Sequence, residues 1–387
     1  MKKMIFFVVC VTSLLVYFFC LAQMNNVVSA LHVFTRFGTK SDKNQTRQAS
    51  PSVTRTIQQV ETTPRPNRYG VIPDVAPPMD VLFDKYIIYD CNSLCGGLAD
   101  RQKGIISSYL VSQMLKRNFG LSMKRPCEFS NFVIPNLVEW RVEKAKLKGR
   151  SHETKRSIDS GWLGQEMKHK SLETMYDKDV TFYIGNIDYG PSLMQNPLFS
   201  TVKWAQNTSH HDIYRIAFSQ LFRFAPNTQT KLDSFNAKAE RASKTLICAH
   251  LRMGKSNTIP LDTARKSGPD LDSLVLFLQK QIHFAHSCRL FVATDSDEAR
   301  VVLKREFPEH FLEFEGQIVH IDRPNGGAVC SGMEKAILDE YILSTCDTLI
   351  MSRSGFSRMA AVVRGSDEGL FCAAKKNITR SKRLNPT

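Results

Sequence analysis

Between residues 244 and 373 short apolar runs alternate with helix-patterned stretches, and this alternation constrains the fold more than any other feature of the chain. The pattern predicts strands over 245–252, 289–294, 317–321, 348–352 and 370–373. Between them it predicts helices over 271–286, 297–307, 333–346 and 358–364. Strands joined by helical crossovers run parallel, and the expectation is a doubly wound α/β sheet. An earlier region reads in the same way. It opens with a strand centred on 86–89, turns at Gly96-Gly97 and continues as a helix from Ala99 to about Phe119. In that helix Ile105, Ile106, Tyr109, Leu110, Gln113, Met114 and Leu115 form a stripe close to the 3.6-residue period. A further inner strand is expected over 180–185 and a helix over 204–224, while the basic run 144–155 reads as a solvated helix or loop. The folded part is therefore expected as two Rossmann-like lobes, 80–240 and 241–375, parting within 225–243. A basic, disordered tail over 376–387 completes the chain.

Ligands of such sheets bind at the carboxyl ends of the strands. In the second lobe the residues just after strands are Arg252, Asp295 and the turn Ser354-Gly355-Phe356-Ser357. All three groups are expected to face one cleft. Arg252 offers a forked, permanently charged donor that suits phosphate oxygens. The Ser354 to Ser357 turn offers hydroxyls and backbone N–H groups ahead of a helix. Asp295 and Asp339 are carboxylates able to accept from a base or a ribose. In the first lobe, Gly96 and Gly97 let the backbone come close to a ligand beside a helix N-terminus. His210-His211 is a poor chelate, because adjacent helical side chains diverge by about 100°. No metal or cofactor is expected. No P-loop pattern is present, which sets a sulfotransferase aside.

The formal charge of +15 favours anionic partners, and the N-terminus narrows which. Residues 1–3 form a short tail with two lysines, and residues 4–22 are an uninterrupted apolar run. The run has the length of a membrane-crossing helix, and the lysines ahead of it predict a cytoplasmic N-terminus. A cleaved signal peptide, ending at Val28-Ser29-Ala30, is the alternative. Either way the chain enters the secretory pathway, which argues against nucleic acid. Residues 23–79 are rich in polar residues and proline and read as a disordered stem. The sequons at Asn44, Asn207 and Asn377 are glycosylation candidates. Beyond the apolar run there are eight cysteines, Cys91, Cys95, Cys127, Cys248, Cys288, Cys330, Cys346 and Cys372. Disulfides are permitted and their pairing is open; Cys248, mid-strand, reads equally well as a plain buried thiol.

Three stretches together resemble the α1,2/α1,6/protein-O-fucosyltransferase superfamily. Ala249-His250-Leu251-Arg252-Met253-Gly254 is similar to its H-x-R-x-G/T-D motif. Leu290-Phe291-Val292-Ala293-Thr294-Asp295 is similar to its strand ending in A-T-D. Residues 337–347, with Asp339, lead into Ser352-Arg353-Ser354-Gly355-Phe356-Ser357 and are similar to its D-x-x-x-L-S-x-C/A-D and S-x-F-S motifs. The Gly96 to Arg101 turn resembles the first-lobe G-x-x-G-N-x loop. The resemblance implies a GT-B fold and an inverting, metal-independent transfer from GDP-fucose to a glycan hydroxyl on a glycoprotein or glycolipid. It implies a single-pass type II Golgi membrane protein with a luminal catalytic part. Arg252 would hold the β-phosphate, with His250, Gly254, Asp295, Asp339, Ser354, Gly355, Phe356, Ser357, Gly96 and Gly97 about the donor. Lys255 departs from the motif, standing where the family has aspartate. The base that takes the acceptor proton is then open among Asp262, Asp188 and Asp100. Two other readings stay open: a transferase of another nucleotide sugar, and a non-catalytic luminal binding protein on the same fold.

Overall fold

The computed structural model describes residues 83–254, 262–265, 268–322 and 328–383. These belong to one compact unit, Pro64–Thr387. The apolar run 4–22, the stem 23–79 with Asn44, and Lys255 lie outside the described residues. Among the described residues no helix is long and apolar enough to cross a membrane.

The strands are β1 (Tyr86–Cys91), β2 (Asn118–Met123), β3 (Val133–Pro135), β4 (His152–Ser157), β5 (Val180–Gly185), β6 (Phe222–Phe224), β7 (Thr245–Leu251), β8 (Cys288–Thr294), β9 (Phe311–Leu312), β10 (Thr348–Ser352), β11 (Leu370–Ala374) and β12 (Asn377–Arg380). The helices of eight or more residues are α1 (Leu98–Met114), α2 (Trp162–His169), α3 (His210–Leu221), α4 (Pro226–Lys238), α5 (Leu271–Ala285), α6 (Asp297–Glu306), α7 (Val329–Ser344) and α8 (Gly355–Arg364). A first sheet, ordered β2-β1-β5-β4, is parallel throughout. A second, ordered β12-β11-β10-β7-β8-β9, is parallel except for the β11–β12 pair. β3 and β6 form a separate antiparallel ribbon. In the second sheet β7 lies between β8 and β10, so the connections leave it in opposite directions and open a crevice at its carboxyl end.

Local sequence explains the elements that build this crevice. Leu246 and Cys248 of β7 enter one core cluster, while Ile247, Ala249 and Leu251 enter another. The strand is buried on both faces, which is why it reads as a continuous apolar run. Asp270 and Ser296 cap α5 and α6, accepting from the N–H of Ser273 at 3.0 Å and of Ala299 at 3.2 Å. α1 can settle onto β5 only because residue 104 is glycine. A Cβ there would stand 2.1 Å from the Gly185 carbonyl oxygen.

The structure departs from the sequence expectations in several places. The first helix ends at Met114 rather than near Phe119, because Lys116 turns left-handed (φ 51°) and Asn118 begins β2. The expected helix over 204–224 is α3 alone, followed directly by β6. Within the basic run, His152–Ser157 is a strand. It is the sheet edge, where charged side chains suit an otherwise unpaired strand and hide its periodicity. The segment expected as a strand over 317–321 has no strand pairing. The tail is not disordered over 377–380: a two-residue turn folds β12 back onto β11, and Ile378 packs on the core. Cys248 is not a free thiol. It is bonded to Cys346, alongside the Cys91–Cys95 and Cys127–Cys330 disulfides, and Cys288 and Cys372 are buried free thiols.

Candidate functional site

β7 ends in Leu251 and delivers Arg252 into the crevice, where two carboxylates hold the guanidinium. Its Nη1 donates to Asp295 Oδ2 and its Nη2 pairs with Asp262 Oδ2. Asp295, at the end of β8, also accepts from the backbone N–H groups of Met253 (2.7 Å) and Gly254 (2.9 Å). One buried carboxylate thus fixes both the arginine and the turn that follows it. The turn needs a glycine: Gly254 has φ +75°, and a Cβ there would meet the Thr263 carbonyl oxygen at 2.1 Å. Asp262 additionally pairs with Arg265 at 3.3 Å.

His250 precedes this turn. It is buried, its Nδ1 is 2.9 Å from Ser352 Oγ, and its ring lies 5.0 Å from that of Phe356. Burial, aided by Arg252 and opposed by Asp295, pushes its pKa down to about 4. The imidazole is therefore neutral at physiological pH and joins β7 to β10 without adding charge.

The turn from Ser354 to Ser357 is the start of α8. Ser354 is the N-cap, its Oγ accepting from the Phe356 N–H at 3.4 Å. The positive end of the α8 dipole consequently points into the crevice. Ser357 does not: it is fully buried, and its Oγ donates to the Ser352 carbonyl at 3.2 Å.

The opposite wall comes from α1 and α7. Gly97 is the N-cap of α1, and Asp100 in the first turn accepts from Lys103 Nζ at 2.8 Å. On α7, Lys335 and Asp339 form a buried i,i+4 pair at 2.9 Å, and Lys335 also donates to the Phe314 carbonyl at 2.7 Å. Burial raises the Asp339 pKa while Lys335 opposes the rise. The walls enclose a cavity of about 300 Å³, lined among others by Gly97, Asp100, His250, Arg252, Arg265, Asp295, His320, Lys335, Asp339 and the Ser354 to Phe356 turn.

The sequence-derived residues thus fall into three groups. Gly97, His250, Arg252, Asp295, Asp339, Ser354, Gly355 and Phe356 line one cavity. Gly254 and Ser357 shape its walls from behind. Gly96 faces another way, since the N–H groups of Cys95 and Gly96 donate to Asp322 Oδ1 at 2.9 and 3.0 Å. Of the three acids considered as a base, Asp100 lines the cavity and Asp262 is paired with two arginines. Asp188 lies elsewhere, against His210 Nε2 (3.1 Å) and the Gly190 N–H (2.9 Å). Burial would raise its pKa, but the hydrogen bonds from His210 and from the Gly190 N–H hold it below the ordinary value. Asn207 and Asn377 are exposed, Asn207 in the turn before α3 and Asn377 on β12.

Sequence reasoning missed Lys335, Arg265, His320 and Asp322. Lys335 carried a usable signal, its i,i+4 spacing from Asp339 on a predicted helix. Asp322 carried none, because its partner Cys95 is 227 positions away.

No protein-family model matches the chain, and no curated protein matches it in sequence. Solved structures do share its fold. An arginine-to-lysine variant of FUT1 from Arabidopsis thaliana, in complex with GDP, is similar with a TM-score of 0.53 at 14% identity, over 75% of this chain and 70% of that one. Fucosyltransferase NodZ from Bradyrhizobium is similar with a TM-score of 0.48 at 13% identity, over 79% of this chain and 97% of that one. POFUT1 in complex with GDP-fucose has a TM-score of 0.43 at 12% identity, over 76% of this chain and 99% of that one. The likeness to FUT1 establishes a common two-sheet α/β architecture.

Proposed function

We propose that the chain is a fucosyltransferase that moves fucose from GDP-fucose to a glycan hydroxyl with inversion. The observation that carries this is the placement of Arg252: braced by two carboxylates at the crevice of a parallel sheet, facing the N-terminus of α8. A fixed guanidinium opposite a helix N-terminus is a seat for a diphosphate. That FUT1, which has this fold, was solved with GDP supports the choice of nucleotide.

In this reading the acceptor oxygen attacks the anomeric carbon as the bond from that carbon to the β-phosphate oxygen breaks. Negative charge grows on the departing GDP. Arg252 and the α8 dipole, already oriented, stabilise that charge as it forms. The acceptor proton goes to a carboxylate, and Asp100 is the base we assign, since it lines the cavity and is not held by an arginine. His250, neutral, keeps β7 and β10 in register beneath the phosphates. Asp339 and Lys335 supply polar groups for the nucleoside end. No metal enters the scheme. Residues 4–22 would anchor the protein in the Golgi membrane as a type II protein, with the catalytic part in the lumen and acceptors on passing glycoproteins or glycolipids.

The test is to incubate the purified full-length chain with labelled GDP-fucose and, in parallel, with UDP- and CMP-sugars, over a panel of glycan acceptors. Transfer or slow hydrolysis of GDP-fucose alone is expected. Turnover of a different donor would reassign the nucleotide sugar. GDP-fucose binding without turnover on any acceptor would favour a non-catalytic binding protein.

A further inference from the structure

A second cavity, of about 490 Å³, is walled by α1, α3, α7, α8 and the β3–β6 ribbon. It shares only Leu98 with the lining of the first cavity, so the function proposed above leaves it unused. Much of its wall is aromatic. Phe129 and Phe218 contact Phe222, with ring centroids 5.6 and 5.7 Å apart.

Polar side chains, some with atoms that lack a hydrogen-bond partner, interrupt this apolar wall. Glu340 is 6% exposed; its Oε2 accepts from Gln102 Nε2, while its Oε1 and the Gln102 Oε1 are buried with no hydrogen-bond partner. Burial pushes the Glu340 pKa up to about 8, against the hydrogen bond from Gln102, so the acid is neutral at physiological pH. Whichever way the Gln102 amide is turned, a single hydrogen bond within the pair leaves at least one donor and one acceptor open. Arg215 lines the same cavity. Its Nε stands 3.6 Å from Asp212 Oδ1, but its buried Nη1 has no hydrogen-bond partner. Arg223, held to the Pro135 carbonyl at 3.0 Å, is an exposed part of the lining. Three buried polar atoms without partners, on Glu340, Gln102 and Arg215, belong to the lining of this one cavity beside an aromatic wall, and that concentration gives it the form of a ligand site.

We propose that this cavity binds a small amphipathic organic anion. Its aryl or acyl body lies among Phe129, Phe218 and Phe222, its carboxylate or sulfonate faces Arg215 and Arg223, and a neutral amide or hydroxyl meets Glu340 and Gln102. The proposal is independent of the donor site. Occupancy would nonetheless be felt there, because α7 carries Glu340 into this cavity and Asp339 into the other.

The probe is an N-aroylglycine bearing an aryl diazirine, which combines aryl ring, amide and carboxylate. It is photolysed with the purified full-length chain, and the labelled peptides are mapped by mass spectrometry. Saturable labelling within α3, β6 or α7 is expected. Competition by 8-anilinonaphthalene-1-sulfonate points to an aryl ligand, and competition by dodecanoate to an acyl one. Arg215→Gln should weaken apparent binding about tenfold, and Val363→Trp, which fills the cavity, should abolish labelling. Thermal unfolding of both variants checks that they fold. Labelling that rises linearly with probe, maps elsewhere, or is equal in wild type and a folded Val363→Trp protein overturns the proposal. So does a site that neither competitor can empty.

Discussion

Asp295→Asn separates two roles for one carboxylate. From sequence, Asp295 was a group that could accept from a base or ribose. In the structure it is a brace, accepting from Arg252 and from the N–H groups of Met253 and Gly254. Asparagine has the same shape but loses the charge and replaces one acceptor oxygen with a donor. That NH₂ must then face either the guanidinium or a backbone N–H, donor against donor. A hydrogen bond to a charged group contributes about 1.5–3 kcal/mol, and removing one partner of a buried pair costs about 3–5 kcal/mol. A stability loss of about 3 kcal/mol is therefore expected in urea unfolding. The loosened Arg252 should bind phosphate at least about tenfold more weakly, equivalent to about 1.4 kcal/mol. Calorimetric titration of the full-length chain with GDP and with inorganic pyrophosphate reads the difference. If Asp295 is a brace, both affinities fall by the same factor. A fall for GDP with pyrophosphate unchanged would refute the reasoning and return Asp295 to the nucleoside.

Three further expectations follow from the geometry. Arg252→Ala should reduce GDP-fucose affinity by about 10–100-fold, the loss of one or two charge-assisted hydrogen bonds, and transfer should fall further still; unchanged turnover would remove Arg252 from the chemistry. Glu340 holds its proton up to about pH 8 when folded, against 4.5 as its ordinary value, so the native state binds the extra proton between these limits. Stability should fall as pH rises through that window, by about 1.4 kcal/mol per unit, and Glu340→Gln should flatten the slope in unfolding measured at pH 5, 6 and 7. The Cys127–Cys330 disulfide spans 203 positions, and Cys330→Ser should cost about 2–5 kcal/mol of stability. An unfolding midpoint unaffected by that change would mean the bond does not form.

The parts of the site legible in sequence were those generated locally. β7, β8 and β10 are apolar runs closed by a charged or small residue, so both the strand and the loop that follows it could be read. Once these strands are parallel neighbours, Arg252, Asp295 and Ser354 must converge. What could not be read depended on tertiary context. His152–Ser157 alternates between exposed and partly buried positions with hardly an apolar side chain, and only its pairing with β5 makes it a strand. Ser357 follows Ser354 by three residues, yet Ser354 is an N-cap with extended backbone at the cavity while Ser357 lies within α8 and turns into the core. Asp262 was visible as an acid near Arg252, but its commitment to that arginine and to Arg265 depends on how the loop folds back.

The tie at Asp322 has a consequence for how the cleft handles a visitor. It joins the second-sheet region to Cys95, Gly96 and Arg101 at the head of α1. Gln102 to Glu340 and the Cys127–Cys330 bond add two more rivets between the same halves. A jaw-like opening would have to break a covalent bond together with the part-buried contacts of Asp322 and of Gln102 with Glu340. Tied in this way, the described walls form a slot that resists jaw-like opening. A ligand entering it gives up its own freedom but meets walls that have little left to lose, and selectivity must reside in the fit of that slot.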